Sequence, residues 1–500
     1  MKGMFNFGLL GIRRVFGGVM PPKPSIDKWV KEHMVFWYDM SKPVDTYSQN
    51  FNDWRSHPSV NADIIITSTS FVITRFATLN DTVKCYIPDQ TKNFPGMKVE
   101  VKGIVDGQEL YWGYSADVKL IEITSDGTYD IPPLETVRGN LSFRNGNIAG
   151  ACNITITQLP SGQSVPTNEI LKTNPYLQDH SGNNRPLKLN NFLFAAMSGV
   201  GGYDISSTNI LPDRANVTVT DNRIIHITKK LSTTDNMVNI VPANSNPTHK
   251  FKVTGLSDGR QVSLVNRNGG FYTFDNGEHE VTLTYPEGTT SLYNAIGVTG
   301  DIGDMDVTIE FLPKYPNSLV TDGVDDYGVV ENFKSLQNYM MFFQCAIIRP
   351  AAFKGMFSTT SIATGNQGWM LLQGQSANSV RFGNNKYTNF EFTPSVENKT
   401  DYVLSANNEL MTCYVGEEKA TLAGTYGQTG TNMSLFLSDS NSKTRFGSMA
   451  FYKSILFDSV PTKETDGFTE QDLITWVIDN MINGTPQSGV FPYVFPLKVN

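Results

Sequence analysis

The chain has 500 residues, of which 39% are hydrophobic, 11% aromatic and 18% charged. The charged fraction is below the ~25% usual in globular proteins, the net charge is -8 and no basic run exceeds a pair, so a nucleic-acid partner has little support. The length allows roughly three domains, and the abundance of Asn, Thr, Ser and Gly predicts β-sandwiches with long polar loops rather than a helical enzyme.

The cysteines and histidines point away from a metal or thiol chemistry. The four cysteines, at positions 85, 152, 345 and 413, are far apart and form no CxxC pair, so neither a zinc site nor a disulfide framework is predicted. They are interpreted as small buried hydrophobes. His279 is the last histidine, so the C-terminal third has no imidazole for catalysis or metal binding.

The first 24 residues, "MKGMFNFGLLGIRRVFGGVMPPKP", have the pattern of an arm rather than of a membrane segment. Arg13 and Arg14 interrupt the apolar run, no small-residue cleavage site follows, and the run is too short and too charged to span a bilayer. We expect no membrane insertion and an arm that docks into a partner protein; disorder is the alternative.

Helices are expected at three places only. They are a short helix from Ile26 to Met34, a turn that starts near Asn168, and the apolar stripe of "FTEQDLITWVIDNMING", which Thr469 and Asp472 cap as a box-like pair. Almost everything else alternates with period two between Gly, Asn, Asp and Pro turns. The sequence therefore predicts an all-β chain with few short helices.

A repeat organises the middle of the chain. One copy contains "MKVEVKGIVDGQELYWGY", "SDGTYDIPP" and "NITITQLP", and the other contains "HKFKVTGLSDGRQVSLVN", "DNGEHEVTLTYP" and "DVTIEFLP". Both follow the order strand, G-[IL]-x-D-G turn, strand, D-G or N-G turn, and a closing strand that ends in Leu-Pro. We infer a duplication, each copy having the size and turn rhythm of a small immunoglobulin-like sandwich.

The segment between the copies, "NPYLQDHSGNNRPLKLNNFLFAAMSGVGGYD", has two Gly-rich clusters. A G-x-G-G cluster can belong to a phosphate loop, but the strand-loop-helix context is missing and no GK[ST] follows. We interpret both clusters as turns.

These stretches resemble a known fold family. "DHSGNN" before "LKLNNF", then "LVTDGVDDYGVV" and "RFGSMAFYKSILFDSVPT…FTEQDLITWVIDNM" are similar to the laminin-G-like, concanavalin-A-like jelly roll. The resemblance is a pattern of turns and strands over about 200 residues, in pieces. It implies a jelly roll that contains both the "WYD" strand and the "SGN" turn.

The arrangement as a whole has a further likeness. "VFWYDMSK", "TNEILKTNPYLQDHSGN" and "NFLFAAMSGVGGY" resemble a module of large structural proteins from tailed phages of gut Bacteroidetes, including the crAss-like group. This chain departs from that pattern by placing the first repeat copy between Asp39 and Thr167. Because loops tolerate insertions at small entropic cost, we interpret both copies as inserts in one jelly roll. The strand Phe36-Trp37-Tyr38 should then pack beside the C-terminal domain.

The fold class expected is thus a concanavalin-A-like jelly roll with two inserted, mutually related immunoglobulin-like sandwiches. The expected boundaries are an anchoring arm at 1–24, the first helix and strand of the jelly roll at 25–58, repeat copy 1 at 59–162, a jelly-roll segment at 163–205, repeat copy 2 at 206–315, the laminin-G-like jelly roll at 316–487, and an extended tail at 488–500.

Three carboxylates, Asp322, Asp325 and Asp326, form the first candidate site. Asp325 and Asp326 would fall on opposite faces of an extended segment, so convergence is not automatic. Three interpretations are open: an edge turn with solvated acids, an acid/base pair, or a calcium site of the kind that some laminin-G-like jelly rolls have. Calcium takes six to eight oxygens, of which the sequence identifies at most three. No other cofactor is expected.

The second candidate is a glycan-binding surface at Trp369, Arg381 and Tyr387, which lie among Asn, Gln and Gly. Aromatic faces stack on sugars and amides hydrogen-bond hydroxyls. The alternative is that Trp369 begins a core strand. The apolar tail "SGVFPYVFPLKVN" should dock in a groove, of a neighbouring copy or of its own jelly roll.

The sequence lacks the E-x-D-x-x-E strand of concanavalin-A-like glucanases and the G-x-S-x-G, HExxH and Walker patterns, so no catalytic residue is assigned. The resemblance implies a virion structural protein, a head or tail fibre or appendage, made in the bacterial cytoplasm. Its partners would be other virion proteins through the arm, further copies in a homotrimer, and a host-surface glycan. The alternatives are a bacterial surface or secreted polysaccharide-binding protein and a polysaccharide depolymerase.

Overall fold

The computed structural model describes most of the chain between Ser25 and Asn483. The described residues are 25–49, 51, 55–56, 62–67, 69–76, 85–86, 94–115, 118–134, 141–148, 150–242, 247–257, 259–266, 270–285, 294–359, 370–373, 380–383, 388–390, 397–407, 410–423, 429–439 and 442–483. The arm at 1–24 and the tail at 488–500 lie outside them.

Among its described residues, the first third of the chain has one helix followed by short strands. In chain order these are α1 (Ile26–His33), β1 (Met34–Asp39), β2 (Val44–Thr46), β3 (Arg55–Ser56), β4 (Ala62–Ile66), β5 (Ser70–Phe76), β6 (Cys85–Tyr86), β7 (Met97–Lys102), β8 (Leu110–Ser115), β9 (Val118–Ile123), β10 (Gly127–Ile131), β11 (Ser142–Asn145), β12 (Gly150–Gln158) and β13 (Gly162–Ser164).

The middle third contains one more short helix within the part that the structure describes. Its elements are α2 (Asn168–Thr173), β14 (Tyr176–Leu177), β15 (Leu187–Asn190), β16 (Gly199–Val200), β17 (Ile205–Ile210), β18 (Ala215–Thr220), β19 (Ile224–Lys230), β20 (Val238–Pro242), β21 (Thr248–Thr254), β22 (Val262–Asn266), β23 (Phe271–Phe274), β24 (Gly277–Thr282), β25 (Asn294–Val298) and β26 (Gly303–Phe311).

The last third ends in a helix with a π-helical final turn, Ile478–Ile482. Its elements are β27 (Leu319–Val320), β28 (Tyr327–Val330), β29 (Tyr339–Ile347), β30 (Gly355–Ser358), β31 (Met370–Gln373), β32 (Val380–Gly383), β33 (Thr388–Phe390), β34 (Thr400–Ala406), β35 (Leu410–Val415), β36 (Glu418–Ala423), β37 (Met433–Leu435), β38 (Leu437–Asp439), β39 (Thr444–Phe446), β40 (Met449–Phe457) and α3 (Glu470–Val477). The predicted all-β class is confirmed.

Two eight-stranded antiparallel sheets form the main jelly roll. One has the order β16-β27-β40-β29-β34-β35-β36, with β1 also on β40, and the other has the order β14-β15-β28-β37-β30-β31-β32-β33. Their facing sides share a core in which Phe343 contacts Phe357 and Phe451, and Phe436 contacts Phe451. This core joins strands from both ends of the chain, so the jelly roll closes only when residues far apart in sequence meet.

The predicted packing of the Phe36-Trp37-Tyr38 strand against the C-terminal domain is confirmed. β1 pairs antiparallel with β40, Trp37 opposite Ile455, and all six β1 residues are buried. Burial on both faces explains why this strand has a continuous apolar run rather than an alternating one. The outer face of its sheet is covered by α1 and α3, through Trp29 and Leu473.

The helix ends follow the predicted capping chemistry. Lys28 N–H donates to Ser25 Oγ at 3.3 Å at the start of α1. At the start of α3, Asp472 N–H donates to Thr469 Oγ1 at 3.2 Å, and Thr469 N–H donates back to the Asp472 carboxylate at 2.8 Å, which completes a capping box. The expected helix after Thr167 is observed as α2.

The two repeat copies have the same ten-stranded topology. Copy 1 consists of the sheets β3-β6-β11-β8-β9 and β10-β7-β12-β5-β4, and copy 2 consists of β17-β20-β25-β22-β23 and β24-β21-β26-β19-β18. Every strand of copy 1 thus has a counterpart at the same place in copy 2. The two sandwiches are related, as the sequence repeat indicated, and are called insert 1 and insert 2 below.

Both inserts are β-sandwiches, as expected. Their strand order, however, is that of a jelly roll and not that of an immunoglobulin domain. The last eight strands of each insert are distributed between the two sheets as in a jelly roll, and the first two extend the sheets at their edges. Seven-stranded immunoglobulin sandwiches have a different order. The spacing of the turns indicates how long the strands are but not which strands pair. The sequence alone therefore did not distinguish a jelly roll from an immunoglobulin sandwich.

Both inserts leave and re-enter the jelly roll through paired backbone. β2 pairs with β13, Thr46 opposite Gly162, at the root of insert 1. At the root of insert 2, Lys314 N–H donates to Gly202 O at 2.9 Å and Tyr315 N–H donates to Gly201 O at 2.8 Å. Adjacent ends are what an insertion into a loop requires.

One expected boundary is too late. β3 (Arg55–Ser56) pairs with β6 inside insert 1, and the fully buried Phe51 belongs to the core of that insert. Insert 1 therefore begins before residue 59. The polar stretch before that residue contributes Phe51 to the core of the insert and β3 to the edge of one sheet, although it lacks an alternating strand pattern.

Candidate functional site

The structure brings the three candidate carboxylates together in the turn between β27 and β28. One oxygen from each of Asp322, Asp325 and Asp326 lies within 4.8 Å of the others. The expectation that they need not converge assumed an extended segment. The chain instead turns at Gly323, whose φ is +79°, and this turn folds the three side chains toward one another.

Two of the carboxylates close the turn by accepting backbone hydrogen bonds. Asp322 Oδ1 accepts from Val324 N–H at 2.7 Å and from Asp325 N–H at 3.4 Å, and Asp326 Oδ2 accepts from Asp322 N–H at 2.9 Å. Asp side chains commonly stabilise tight turns by such local bonds. Asp325, in contrast, is exposed.

Asp326 is the chemically unusual member of the cluster. Its side chain is 0% exposed, and its Oδ1 accepts a hydrogen bond from the Ser198 hydroxyl at 2.9 Å. Burial raises the pKa of Asp326 to about 7, and the nearby charges of Asp322 and Asp325 act in the same direction, against the hydrogen bonds from Asp322 N–H and Ser198. Asp326 thus retains its proton at pH values where ordinary aspartates have lost theirs.

A raised pKa beside ionised carboxylates is also the signature of a general acid. A general acid must lie within hydrogen-bond reach of the group that it protonates. Asp326 cannot reach a solvent-borne substrate, because it is completely buried beneath the turn. Its environment therefore suits a structural role better than acid/base catalysis.

A calcium ion at this turn would need oxygen ligands beyond the three carboxylates. Carboxylate oxygens are the ligands that calcium prefers, and it needs six to eight of them. Both Asp326 oxygens and Asp322 Oδ1 already accept N–H or O–H donors. The Lys354 ammonium lies 3.4 Å from the Gly323 carbonyl oxygen, which places a competing cation at the same turn. The observed hydrogen bonds favour the edge-turn interpretation.

Ser198 connects the acidic turn to a second motif. Ser198 begins the "SGVGGY" segment, and its hydroxyl also accepts a hydrogen bond from Leu193 N–H at 2.9 Å. In the same segment, Val200 N–H donates to Asn168 Oδ1 at 2.7 Å, and a Cβ on Gly199 would lie 2.5 Å from that oxygen. The sequence analysis assigned turns here, and the structure adds the side chains that hold them.

The "DHSGNN" turn is attached to β1 in the same manner. The Asp179 carboxylate accepts from the backbone N–H groups of Trp37, Ser181 and Arg185 at 2.9 to 3.0 Å. Asn183 Nδ2 donates to the carbonyl of Met34 at 2.7 Å. The W-Y-D strand and the S-G-N turn therefore form one unit, although insert 1 separates them in sequence.

The candidate glycan-binding residues are only partly described by the structure. Arg381 lies in β32, opposite Leu372 of β31. Trp369 and Tyr387 lie outside the described residues. The three positions remain a prediction.

Other aromatic side chains and the thiols serve packing. Trp112 is fully buried in insert 1, and Trp476 packs against the helical layer of the jelly roll. Cys345 and Cys413 are fully buried, as expected for small hydrophobes, whereas Cys152 is only half-buried. Burial raises the pKa of the Cys413 thiol to about 12, so this thiol stays protonated and unreactive.

Comparisons with known proteins give remote structural likenesses. No protein-family model and no characterised protein sequence matches the chain. Domains LG4–5 of the mouse laminin alpha1 chain share 9% identity with it, at a TM-score of 0.22, over 54% of this chain and 97% of theirs. Domain 4 of AbnA, an extracellular arabinanase from Geobacillus stearothermophilus, shares 11% identity at a TM-score of 0.23, over 31% of this chain and 80% of its own.

The full extracellular region of zebrafish Gpr126/Adgrg6 shares 12% identity at a TM-score of 0.24. The match covers 51% of this chain and 38% of that region, so this chain spans well under half of its length. Scores and identities at this level assign neither a family nor a function, and the fold description rests on the strand order itself. Within the described part of the chain, no helix is both long and apolar enough to cross a membrane.

Proposed function

We propose that the chain is a structural protein of a tailed-phage virion, in a fibre or other appendage of the head or tail, and that its C-terminal jelly roll binds a host-surface glycan. The arm at 1–24 would anchor it to other virion proteins. A homotrimer is the assembly that the resemblance suggests.

The observation that carries the proposal is the joining of the resemblance motifs into one module. Asp179 of "DHSGNN" holds Trp37 of "VFWYD", and Asn168 of "TNEIL" holds Val200 of "SGVGGY". Ser198 of the same segment holds Asp326 of "DGVDDY". The phage-protein resemblance rests on all of these stretches except "DGVDDY", which belongs to the laminin-G-like resemblance, and their contacts support reading them as a single unit.

The two inserts support a role as spacers. Each is a complete sandwich with its own core, attached through two adjacent strands or backbone segments. Modules of this kind add length and surface without changing the fold that carries them. This is the property that a fibre or appendage needs.

Binding is proposed rather than hydrolysis. In the described acidic turn, Asp326 is buried away from solvent, and Asp322 and Asp326 both accept backbone hydrogen bonds that stabilise the turn. Trp369, Arg381 and Tyr387 are the positions proposed to contact the glycan, by stacking and by hydrogen bonding to hydroxyls.

Mass spectrometry of density-purified particles of the phage that encodes this chain tests the virion role. We expect the chain in the particles at a fixed ratio to the capsid protein. Its absence from particles, with recovery from the host cell fraction, would contradict the proposal.

Glycan-array binding tests the proposed surface. Trp369→Ala should abolish binding while the melting temperature stays the same. Leu410→Ala, which alters an exposed apolar residue of β35, is the matched control and should bind as the unaltered protein does. Equal binding by Trp369→Ala would remove Trp369 from the site.

A further inference from the structure

The strand β23 (Phe271–Phe274) forms the free edge of one sheet of insert 2. Its sheet has the order β17-β20-β25-β22-β23, so among the described residues β23 has a neighbouring strand on one side only. Phe271 is 57% exposed, Tyr272 is 36% exposed, and no residue of the strand is charged. An exposed and uncharged edge strand is a template for pairing with another chain.

The hydrogen bonds between β22 and β23 show which backbone groups of β23 face outward. Asn266 N–H donates to Gly270 O at 2.8 Å, and the same register continues along both strands. Because bonded and non-bonded pairs alternate along an antiparallel ladder, Tyr272 bonds to β22 and its two chain neighbours do not. The N–H and C=O groups of Phe271 and Thr273 therefore point away from β22, toward the free edge.

The side chains of β23 present aromatic surface on both faces of the sheet. Phe274 contacts Phe251 in the core of insert 2, edge to face with ring centroids 4.9 Å apart, so Tyr272 also lies on the inner face. Phe271 lies on the outer face, opposite the half-buried Val265 of β22. A strand added at this edge would cover the exposed parts of both rings.

The equivalent edge of insert 1 is protected against such pairing. β9 takes the place of β23 at the end of its sheet, and its Lys119 forms ion pairs with Glu109 and Glu122. The pairing of β9 with β8 also shifts register twice. Charged side chains, lysine above all, and bulges are the usual devices that keep edge strands from pairing. The described strand β23 has neither device, since its register with β22 is continuous.

The edge of β23 fits a second copy of itself. When two such strands run antiparallel with Tyr272 on the two-fold axis, Phe271 of each copy lies opposite Thr273 of the other. These are the residues whose N–H and C=O groups face outward, so each of the two pairs makes two backbone hydrogen bonds. The two Tyr272 rings meet in the close, non-bonded pair, where aromatic side chains stabilise antiparallel strands.

The charges near this edge permit two copies to approach, although the net charge of the chain is -8. Asp275 directly follows the strand, three residues from the two-fold axis, so the two Asp275 carboxylates would lie about 20 Å apart. This separation exceeds the screening length of about 8 Å at physiological ionic strength. On the neighbouring edge strand β24, Glu278 and Glu280 lie opposite Lys252 and Lys250 of β21. An uncharged edge gives no advantage to a charged partner, whereas it lets identical edges meet without repulsion.

We propose that two copies of the chain associate through β23, antiparallel about a two-fold axis at Tyr272, so that two five-stranded sheets become one continuous sheet. The contact is isologous, and it joins chains in pairs instead of closing a ring of three. It is therefore separate from the homotrimer contact of the proposed function and depends neither on the virion role nor on the glycan-binding residues.

Sedimentation velocity of the full chain tests the pairing, at concentrations from about 1 to 300 μM that suit the weak association of a small interface. We expect the weight-average sedimentation coefficient to rise with concentration. Tyr272→Lys and Tyr272→Glu should each weaken this association by at least about tenfold, because like charges then lie directly opposite each other. An equimolar mixture of the two variants should restore association, because opposite charges then meet.

Leu120→Lys is the matched control. It places a lysine at an exposed apolar residue of β9, the equivalent edge of insert 1, and should associate as the unaltered chain does. Phe271→Lys should also weaken association by about tenfold, and it keeps the test decisive if thermal unfolding shows that the Tyr272 variants do not fold.

Three results would overturn the proposal. The first is an unaltered chain whose sedimentation does not depend on concentration, whether it is a monomer or a constant trimer. The second is a folded variant at Tyr272 or Phe271 that associates like the unaltered chain. The third is a mixture of Tyr272→Lys with Tyr272→Glu that associates no better than either variant alone.

Discussion

At the scale of single residues, the acidic side chains of the motifs act on the backbone of the protein. Asp326 closes the β27–β28 turn and links it to Ser198, and Asp179 binds three backbone amides around β1. Both are buried, and burial raises the pKa of each carboxyl group. The presence of these carboxylates in the sequence is therefore explained by the turns that they stabilise and does not require a catalytic role.

Because its pKa is raised, Asp326 should lower the free energy of unfolding more as the pH rises. A neutral side chain at this position avoids that loss. The folded state retains the proton up to about pH 7, whereas an unfolded aspartate loses it near pH 4. The free energy of unfolding therefore falls as the pH rises from about 4 to 7. Asp326→Asn should be more stable than the parent by about 1–3 kcal/mol at pH 8, and by less at pH 5.

Thermal unfolding of both proteins at pH 5 and pH 8 measures this difference. The exposed Asp325→Asn is the control, and its effect should vary much less with pH. A constant difference between Asp326→Asn and the parent at the two pH values would show that Asp326 is ionised in the folded state.

Asp179 carries a different prediction. Asp179→Ala leaves the backbone N–H groups of Trp37, Ser181 and Arg185 without their carboxylate acceptor in a buried place. We expect a loss of roughly 3–5 kcal/mol in the free energy of unfolding and faster hydrogen exchange at the Trp37 amide. Asp213→Ala, at an exposed turn of insert 2, should change neither quantity. Unchanged Trp37 exchange in Asp179→Ala would contradict the account of this motif.

At the scale of elements, two structural features explain the repeat motif. One is a β-bulge, and the other is a side-chain hydrogen bond to the backbone, called the cap below. β12 bulges opposite β5, and β26 bulges opposite β19 at the corresponding place. A Cβ on Gly103 would overlap the Asn153 carbonyl oxygen at the first bulge, and a Cβ on Gly255 would overlap the Asp306 carbonyl oxygen at the second. The first glycine of each G-[IL]-x-D-G turn is thus required by close approach of the bulged strand.

The D-G and N-G turns supply the cap. Asp126 Oδ1 accepts from Ile104 N–H at 2.8 Å, and Asn276 Oδ1 accepts from Leu256 N–H at 3.0 Å. In both inserts, the turn before the third-last strand, β10 or β24, therefore holds the residue after the motif glycine. Two short motifs about 20 residues apart are parts of a single contact, which explains why both recur.

Substituting two glycines of the motif distinguishes the cost of steric overlap from the cost of backbone strain. Gly103 and Gly107 both have positive φ, +93° and +81°, but a Cβ on Gly107 meets nothing within 4 Å. Gly107→Ala should cost about 1 kcal/mol from φ strain alone. Gly103→Ala should cost several times more, because the carbonyl of the bulge must also move.

Chemical denaturation of the two variants measures the difference. The pair Gly255→Ala and Gly259→Ala in insert 2 should repeat the pattern, since the geometry is the same. Equal losses for Gly103→Ala and Gly107→Ala would mean that the bulge does not constrain the motif.

At the scale of the whole molecule, the jelly roll should fold without insert 1. Ser161 N–H donates to Thr46 O at 2.7 Å, so the two ends of the insert are already joined by hydrogen-bonded backbone. A chain in which residues 48–160 are replaced by a short Asn-Gly turn should keep the β1–β40 pairing. Loss of slow hydrogen exchange at Trp37 in this shortened chain would show that insert 1 is needed for the fold.

The sequence was informative wherever a local pattern determines the structure. The Thr469–Asp472 box, the short α2 and the duplicated turns were predicted from residue type and spacing, and the W-Y-D strand was placed in the jelly roll through the resemblance. The strand order of the inserts and the convergence of Asp322 with Asp326 were not predictable in this way. Each depends on which distant segments become neighbours, and neither turn rhythm nor periodicity encodes that pairing.

The most direct test of the central proposal, that the molecule binds polysaccharide without cutting it, is to incubate the purified full chain with capsular polysaccharide from the proposed host bacterium. Polymer length by size-exclusion chromatography and newly formed reducing ends are followed together with co-sedimentation. We predict that the polymer co-sediments with the protein at its original length and with no new reducing ends. Progressive shortening with a matching rise in reducing ends would contradict the account and identify a depolymerase.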